Sequence, residues 1–203
     1  MTVLAAPPPL LSPSLAELLE RSSALHDHLC PRQILGVRSA LLAARHLNLP
    51  FPRSDKRVLV FVETDGCFAD GVSVASGCWL GRRTMRLMDY GKVAATFVDT
   101  RTGQAVRIAP QTDLRQRVKD ARPEGQKRYD AYLEAYQTLP DDALLTVQEV
   151  ELTLDLKELI SVHGKRVMCD GCHEEVINER EVVHGVQVLC PSCAGQGYLR
   201  PRP

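Results

Sequence analysis

Four of the seven cysteines fall into one pattern near the end of the chain. Met168-Cys169-Asp170-Gly171-Cys172 and Leu189-Cys190-Pro191-Ser192-Cys193 read C-x2-C-x17-C-x2-C. Each CxxC turn can present two thiolates to one side, and a spacer of this length folds into a hairpin that brings the pairs together as a tetrahedral site. Zinc in structural sites prefers that arrangement. Gly171 relieves the first turn sterically, and Val182 to Val188 supplies strand-turn-strand material between the pairs. Four thiolates leave no open coordination position, so such a site holds structure together and does not catalyse. His173 and His184 are surplus to it. A module of about 35 residues cannot build a self-sufficient core, and a bound metal would supply much of its folding free energy. Redox use of a CxxC is the competing reading, but the surrounding sequence lacks the βαβ pattern that use requires.

A second group is His26-Asp27-His28-Leu29-Cys30-Pro31. In an extended approach, residues two apart point to one side, so His26, His28 and Cys30 could converge. Imidazole and thiolate suit zinc, iron, copper or nickel better than magnesium or calcium. The same residues also fit a hydrogen-bonded helix cap with a small core thiol. A third group lies in two glycine-bounded stretches, Thr64-Asp65-Gly66-Cys67-Phe68-Ala69-Asp70-Gly71 and Gly77-Cys78-Trp79-Leu80-Gly81. Cys67 and Cys78 read either as packed thiols or, in loops, as ligands. Seven cysteines fit a disulfide framework poorly, and in a reducing compartment they point to metal ligands or reactive thiols. Arg82, Arg83, Arg86 and Lys92 are either an anion site or a solvated face.

The elements that position these residues follow from periodicity. Ser14 and Glu17 have capping-box spacing and open a helix through about Ala24. Pro31 suits a first helical turn, and Ile34 to Arg45 carries a broad buried stripe ending near Asn48-Leu49-Pro50. Arg57 to Glu63 is a short β-branched run bounded by turn residues, so it reads as a buried strand. Lys92 to Asp99 and Gln104 to Ile108 form a hairpin around Thr100 to Gly103. Thr112 to Arg122 and Glu124 to Leu139 are helical, with Tyr129, Tyr132, Leu133 and Tyr136 on one face as core or interface contacts. A strand over Leu144 to Leu152 and a short helix over Leu154 to Val162 follow. Strands and helices do not alternate strictly, so the fold class is α+β, with a mixed or antiparallel sheet, packed helices and a small C-terminal zinc-ribbon-like domain. The expected organisation is a flexible lead over 1–13, a core domain over 14–162 and a zinc-finger domain over 165–203.

Across 203 residues, 25 basic and 25 acidic side chains cancel, which argues against a general affinity for nucleic acid or membrane surfaces. The two arginines and the tyrosine of the tail leave only a weak case for nucleic-acid contact. No apolar run approaches the ~20 residues of a membrane span, and the first residues lack signal-peptide character, so the expectation is a cytoplasmic protein without a membrane partner.

The two halves together resemble the FmdE family, which takes its name from a formylmethanofuran dehydrogenase. The resemblance is carried by His26 to Pro31 with Gly36, by Glu63-Thr64-Asp65-Gly66-Cys67 with Asp70, by Gly77-Cys78-Trp79-Leu80-Gly81 and by Tyr90-Gly91-Lys92. It covers residues 15 to 160 or so. It implies an α+β core, in some members with an added C-terminal zinc finger and an intertwined dimer, and an association with a molybdenum or tungsten enzyme. It also implies a core site at His28, Cys30 and Cys67, with His26, Asp70 and Cys78 in second rank. Arg32 departs from the family pattern, which has glycine after the proline, and sets a long cation beside that site.

Three functions follow as alternatives. The first is a metal-binding accessory or metal-handling protein with a protein partner in a metalloenzyme system. It would carry a structural zinc at Cys169, Cys172, Cys190 and Cys193 and a second transition metal (zinc, nickel or iron) in the core. The second is a metal-sensing regulator or nucleic-acid-contacting module. The third is a metal-dependent enzyme with Asp70 or Glu63 as general base, for which no complete catalytic constellation is visible. A homodimer is expected, because the tyrosine face and the run from Leu144 to Leu152 offer more apolar surface than one helix and one strand need to bury.

Overall fold

The computed structural model describes residues 13–25, 27–161, 164–200 and 202. The chain divides into two compact units, one up to Leu152 and one from Thr153 on.

In the first unit, helix α1 (Leu15–Ser23) opens on the expected capping box. Ser14 Oγ accepts from the Glu17 N–H at 3.3 Å, and Glu17 Oε2 accepts from the Ser14 N–H at 2.7 Å. Helix α2 (Pro31–His46) begins at the predicted proline. Between the two helices, Gln33 is fully buried yet satisfied at both ends. Its amide oxygen accepts from the Cys30 N–H at 2.7 Å, and its amide nitrogen donates to the Ser22 carbonyl at 2.7 Å. This buried amide fixes the start of α2 against the end of α1, as a fully satisfied buried polar group can. Asp27 has φ 58°, so the approach to Cys30 is a turn and not the extended run that would align alternate side chains.

Strand β1 (Val58–Val62) is buried at every position, as its unbroken apolar run predicts. Helix α3 (Cys67–Ser76) corrects the reading of the Cys67 stretch as a loop: Gly66, at φ 74°, turns the chain out of the β1 connection and α3 starts at Cys67 itself. Strands β2 (Met85–Leu87), β3 (Ala95–Asp99), β4 (Ala105–Pro110) and β5 (Leu145–Val150) complete a five-stranded sheet of order β2-β1-β3-β4-β5. All its pairings are antiparallel except β1 with β2, which makes it a mixed sheet. β2 is the strand that periodicity missed, since three residues give alternation nothing to work on.

Two glycines decide how the helices lie on this sheet. A Cβ on Gly36 would stand 2.2 Å from the Phe68 carbonyl oxygen, and one on Gly71 would stand 2.3 Å from the Gln33 carbonyl oxygen. Helices α2 and α3 therefore cross backbone against backbone, which only glycine allows. Their apolar faces share one core with alternate sheet residues Val58, Val60, Val62, Phe97, Val106 and Ile108. Helices α4 (Leu114–Asp120), α5 (Arg128–Thr138) and α6 (Asp141–Leu144) lie between β4 and β5 in the chain. Arg38 holds the end of α5 by donating to the Tyr136 and Leu139 carbonyls at 3.2 and 2.6 Å and pairing with Asp141.

In the second unit, helix α7 (Leu156–Ser161) precedes two hairpins, β6 (Arg166–Met168) with β7 (Glu175–Ile177) and β8 (Val182–His184) with β9 (Gln187–Leu189). The second hairpin is the one the sequence predicts; the first wraps the Cys169 turn. Among the described residues no helix is long and apolar enough to cross a membrane.

Candidate functional site

The close crossing of α2 and α3 brings the N-cap residue of α2, Cys30, beside the first residue of α3, Cys67. Both thiols open into a cavity of about 920 Å3 within the first unit. Its far wall is α5: Tyr129, Tyr132 and Tyr136 all line it. The tyrosine face read as core or interface surface is therefore turned toward Cys30 and Cys67 in the same chain. Tyr129 Oη donates to the Leu29 carbonyl at 2.8 Å, which ties α5 to the turn before Cys30. Tyr132 and Tyr136 stack with ring centroids 5.7 Å apart. Sequence spacing identified this face but not its destination, because only the tertiary packing of α5 on α2 brings it to the thiols.

The electrostatics of the pair come from burial and mutual proximity. Burial pushes the Cys67 thiol up from its ordinary value, the hydrogen bond and charge of Cys30 add to that, and Asp70, one turn on, acts in the same direction. A helix N-terminus alone would lower a thiol pKa; here desolvation and a like neighbour win. The Tyr129 phenol is likewise raised, first by burial and then by the charges of Cys30 and Cys67. Cys67 is thus held as a protonated thiol at neutral pH, and a soft cation bound between the two sulfurs would relieve the repulsion that opposes its ionisation.

The other core candidates separate. His28 is exposed, two residues before Cys30, and His26 lies outside the described residues. Cys78 follows the C-cap of α3, about 13 Å of helix from Cys67; it is 1% exposed, donates to the Val58 carbonyl at 3.4 Å, and is raised by burial. That is the environment of a packed core thiol. Glu63 is gripped by Arg107 through Nε at 2.6 Å and Nη2 at 2.8 Å, so its carboxylate holds a strand partner and not a proton in flight. The basic cluster also divides: Arg86 donates to the Arg83 and Met85 carbonyls, whereas Lys92 lines the cavity with Arg32 and Arg115.

In the second unit, Cys169, Cys172, Cys190 and Cys193 place one sulfur each within 4.8 Å of all the others. Among the described residues this is the one group of three or more His, Cys, Asp or Glu so disposed. Tetrahedral coordination at a Zn–S distance of ~2.3 Å requires sulfurs about 3.8 Å apart. Cys172 Sγ and Cys190 Sγ are 3.9 Å apart. Backbone N–H groups aim at the sulfurs, from Cys190 to Cys169 Sγ at 3.1 Å and from Cys193 to Cys190 Sγ at 3.3 Å. N–H bonds from Cys172, Cys190 and Gly171 hold the Cys169 thiol down to about 6, whereas Cys193, facing Cys190, Cys169 and Cys172, is pushed up to about 12. Such opposed shifts mark four thiols that crowd one point and lack a central positive charge. Asp170 joins the two turns, its N–H donating to the Val188 carbonyl at 2.8 Å and its carboxylate accepting from the Val188 N–H at 2.7 Å. Gly171 is required because a Cβ there would meet Cys193 Sγ at 3.0 Å. The group can hold a metal ion and fits a small zinc-finger-like domain.

Comparison with known proteins follows the same division. A solved FmdE-like protein of a tungsten formylmethanofuran dehydrogenase, from Syntrophus aciditrophicus, superposes with a TM-score of 0.62 at 25% identity, over 96% of this chain and 100% of that one. A probable S-adenosyl-L-methionine-binding protein of Archaeoglobus fulgidus is 36% identical over 97 residues, which is 46% of this chain and 26% of that protein. The chain thus spans about a quarter of that relative's length. Residues 25–146, which include Cys30, Cys67 and the three cavity tyrosines, match the family described as FmdE, molybdenum formylmethanofuran dehydrogenase operon. The matched stretch is more than half of the chain and contains the whole helix crossing that forms the cavity, and the chain belongs to the FmdE family.

Proposed function

We propose that this chain is a metal-binding accessory protein of molybdenum or tungsten formylmethanofuran dehydrogenase-like systems. In this reading the four C-terminal cysteines hold a structural zinc in a module that makes protein contacts. Cys30 and Cys67, with His28 or His26 completing the set, take a second transition metal such as zinc, nickel or iron in the core. The observation that carries the core site is the meeting of two thiols from separate helices at one cavity. A thiolate pair selects soft or borderline metals, and the cavity leaves room for a partner's ligand or a small molecule. The protein is a cytoplasmic homodimer in this reading, supported by apolar side chains exposed on the second unit, Val183 at 65% and Val186 at 98%.

Metal analysis of the full chain tests the assignment. Two metals per chain are expected, one lost in a Cys169→Ala, Cys190→Ala double variant and the other in a Cys30→Ser, Cys67→Ser variant. If the second pair of substitutions leaves the metal content unchanged, the core site is not a metal site. Light scattering with zinc in reducing buffer should give about twice the 22.5 kDa chain mass.

A second reading is favoured by the cavity itself. At about 920 Å3 it has the volume of a site for a small organic molecule, and S-adenosylmethionine is the one named for the Archaeoglobus relative. Equilibrium dialysis of the full chain against S-adenosylmethionine tests this, one molecule per chain being the expected result and none the refuting one.

A further inference from the structure

The cations of the cavity wall have no counterpart in the chemistry described so far. Arg32, Lys92, Arg107 and Arg115 line the cavity, and no Asp or Glu does. Arg107 is neutralised by its fork on Glu63. Arg32, Lys92 and Arg115 make no salt bridge among the described residues. The nearest acids, Asp70 and Asp130, act on Cys67 and Tyr129 from outside the wall. These three cations come from three separate places in the sequence, the start of α2, the approach to β3 and α4, so they are not one charged run on a solvated helix face. In a chain of zero formal charge, their convergence on one concavity is a local excess of about three positive charges.

The rest of the wall is built for a flat apolar body. Tyr132 and Tyr136 present stacked rings, the Arg115 guanidinium sits 5.7 Å from the centroid of the Tyr132 ring, and Leu35, Val93 and Leu114 line the cavity beside them. Stacked aromatics take another ring by offset stacking, and a guanidinium over a ring edge can fork onto a carboxylate, sulfonate or phosphate attached to it.

We infer that this cavity binds a small organic anion in which a planar ring system carries an acidic group, the ring lying against Tyr132 and the anion facing Arg32, Lys92 and Arg115. This rests on the cavity being a site for an organic molecule and adds the charge and shape of its occupant. It does not depend on metal at Cys30 and Cys67.

The test is a fluorescence titration of the full chain, with its C-terminal metal in place, using two probes that share one ring framework. These are 8-anilinonaphthalene-1-sulfonate, which is anionic, and N-phenyl-1-naphthylamine, which is neutral. The sulfonate should bind one per chain and at least about tenfold more tightly than the amine, the factor expected for ~1.4 kcal/mol of charge attraction. Substituting Gln for Arg32, Lys92 or Arg115 should weaken the sulfonate about three- to fivefold each, in line with partly exposed ion pairs, and leave the amine unchanged. These side chains are exposed, so the variants should keep the wild-type circular dichroism. Tyr132→Leu should weaken both probes alike. Equal affinity for the two probes, or a sulfonate affinity unmoved in the triple Gln variant, overturns the anion assignment while leaving an organic occupant standing. Failure of both probes to bind overturns the organic site as well. Metal content measured on the same samples answers the metal reading separately.

Discussion

Replacing Gly36 by alanine sets two effects of opposite sign against each other. In a helix interior, alanine is favoured over glycine by about 1 kcal/mol, so propensity alone predicts a more stable protein. The new Cβ, however, would lie 2.2 Å from the Phe68 carbonyl oxygen and 2.9 Å from the Val72 nitrogen. Both atoms are backbone of α3, so no rotamer change relieves the overlap, and α2 and α3 must separate by about 1 Å to restore ordinary contact. Ile34, Val37, Phe68 and Val72, all fully buried, lose packing in that separation. Overpacking of this kind costs about 3 kcal/mol, which outweighs propensity and leaves a net destabilisation of about 2 kcal/mol. For a unit of this size the melting temperature should fall by about 6 °C. Thermal unfolding of the full chain followed by circular dichroism measures it, with C-terminal metal content recorded so that the second unit is held constant. The same crossing sets the Cys30 to Cys67 approach, so alkylation of Cys67 should also be faster in the variant. An unchanged or raised melting temperature would refute the claim that this crossing is sterically closed.

Three further outcomes are expected. Glu63→Gln leaves the Arg107 guanidinium, only 25% exposed, without its countercharge and should lower stability by about 2 kcal/mol, less than for a fully buried pair; a urea midpoint equal to wild type would count against it. The Arg53 hydrogen bond holds the Asp55 carboxyl down to about 2. Its stabilising contribution is therefore complete above the ordinary aspartate range and is lost as pH falls through about 2; an NMR titration should return to the ordinary range in Arg53→Gln. Because burial and Cys30 raise the Cys67 thiol, its alkylation rate in metal-free protein should still be climbing at pH 9, and a plateau near pH 8 would show that the pair is not coupled as described.

Local chemistry was legible in the residues themselves. The capping box at Ser14 and Glu17, the proline start of α2, the buried run of β1, the hairpin of β3 and β4 and the two CxxC turns each depend on residues a few positions apart, where backbone sterics and hydrogen bonding leave few alternatives. The four sulfurs belong here too, since a spacer of 17 residues closes on itself whatever surrounds it. The core site was legible only as residue types. Cys30, Cys67 and the tyrosines of α5 are up to a hundred residues apart, and what joins them is the tight fit of Gly36 and Gly71 backbones together with the hydrogen bond from Tyr129 to Leu29. Cys67 and Cys78 look alike in sequence, each beside a glycine. Only packing distinguishes them, turning one into a cavity at the start of α3 and sealing the other against β1 past its end. Which side of a helix meets which neighbour is a long-range matter of volume and close approach, and hydrophobic periodicity records that a face is buried without recording against what.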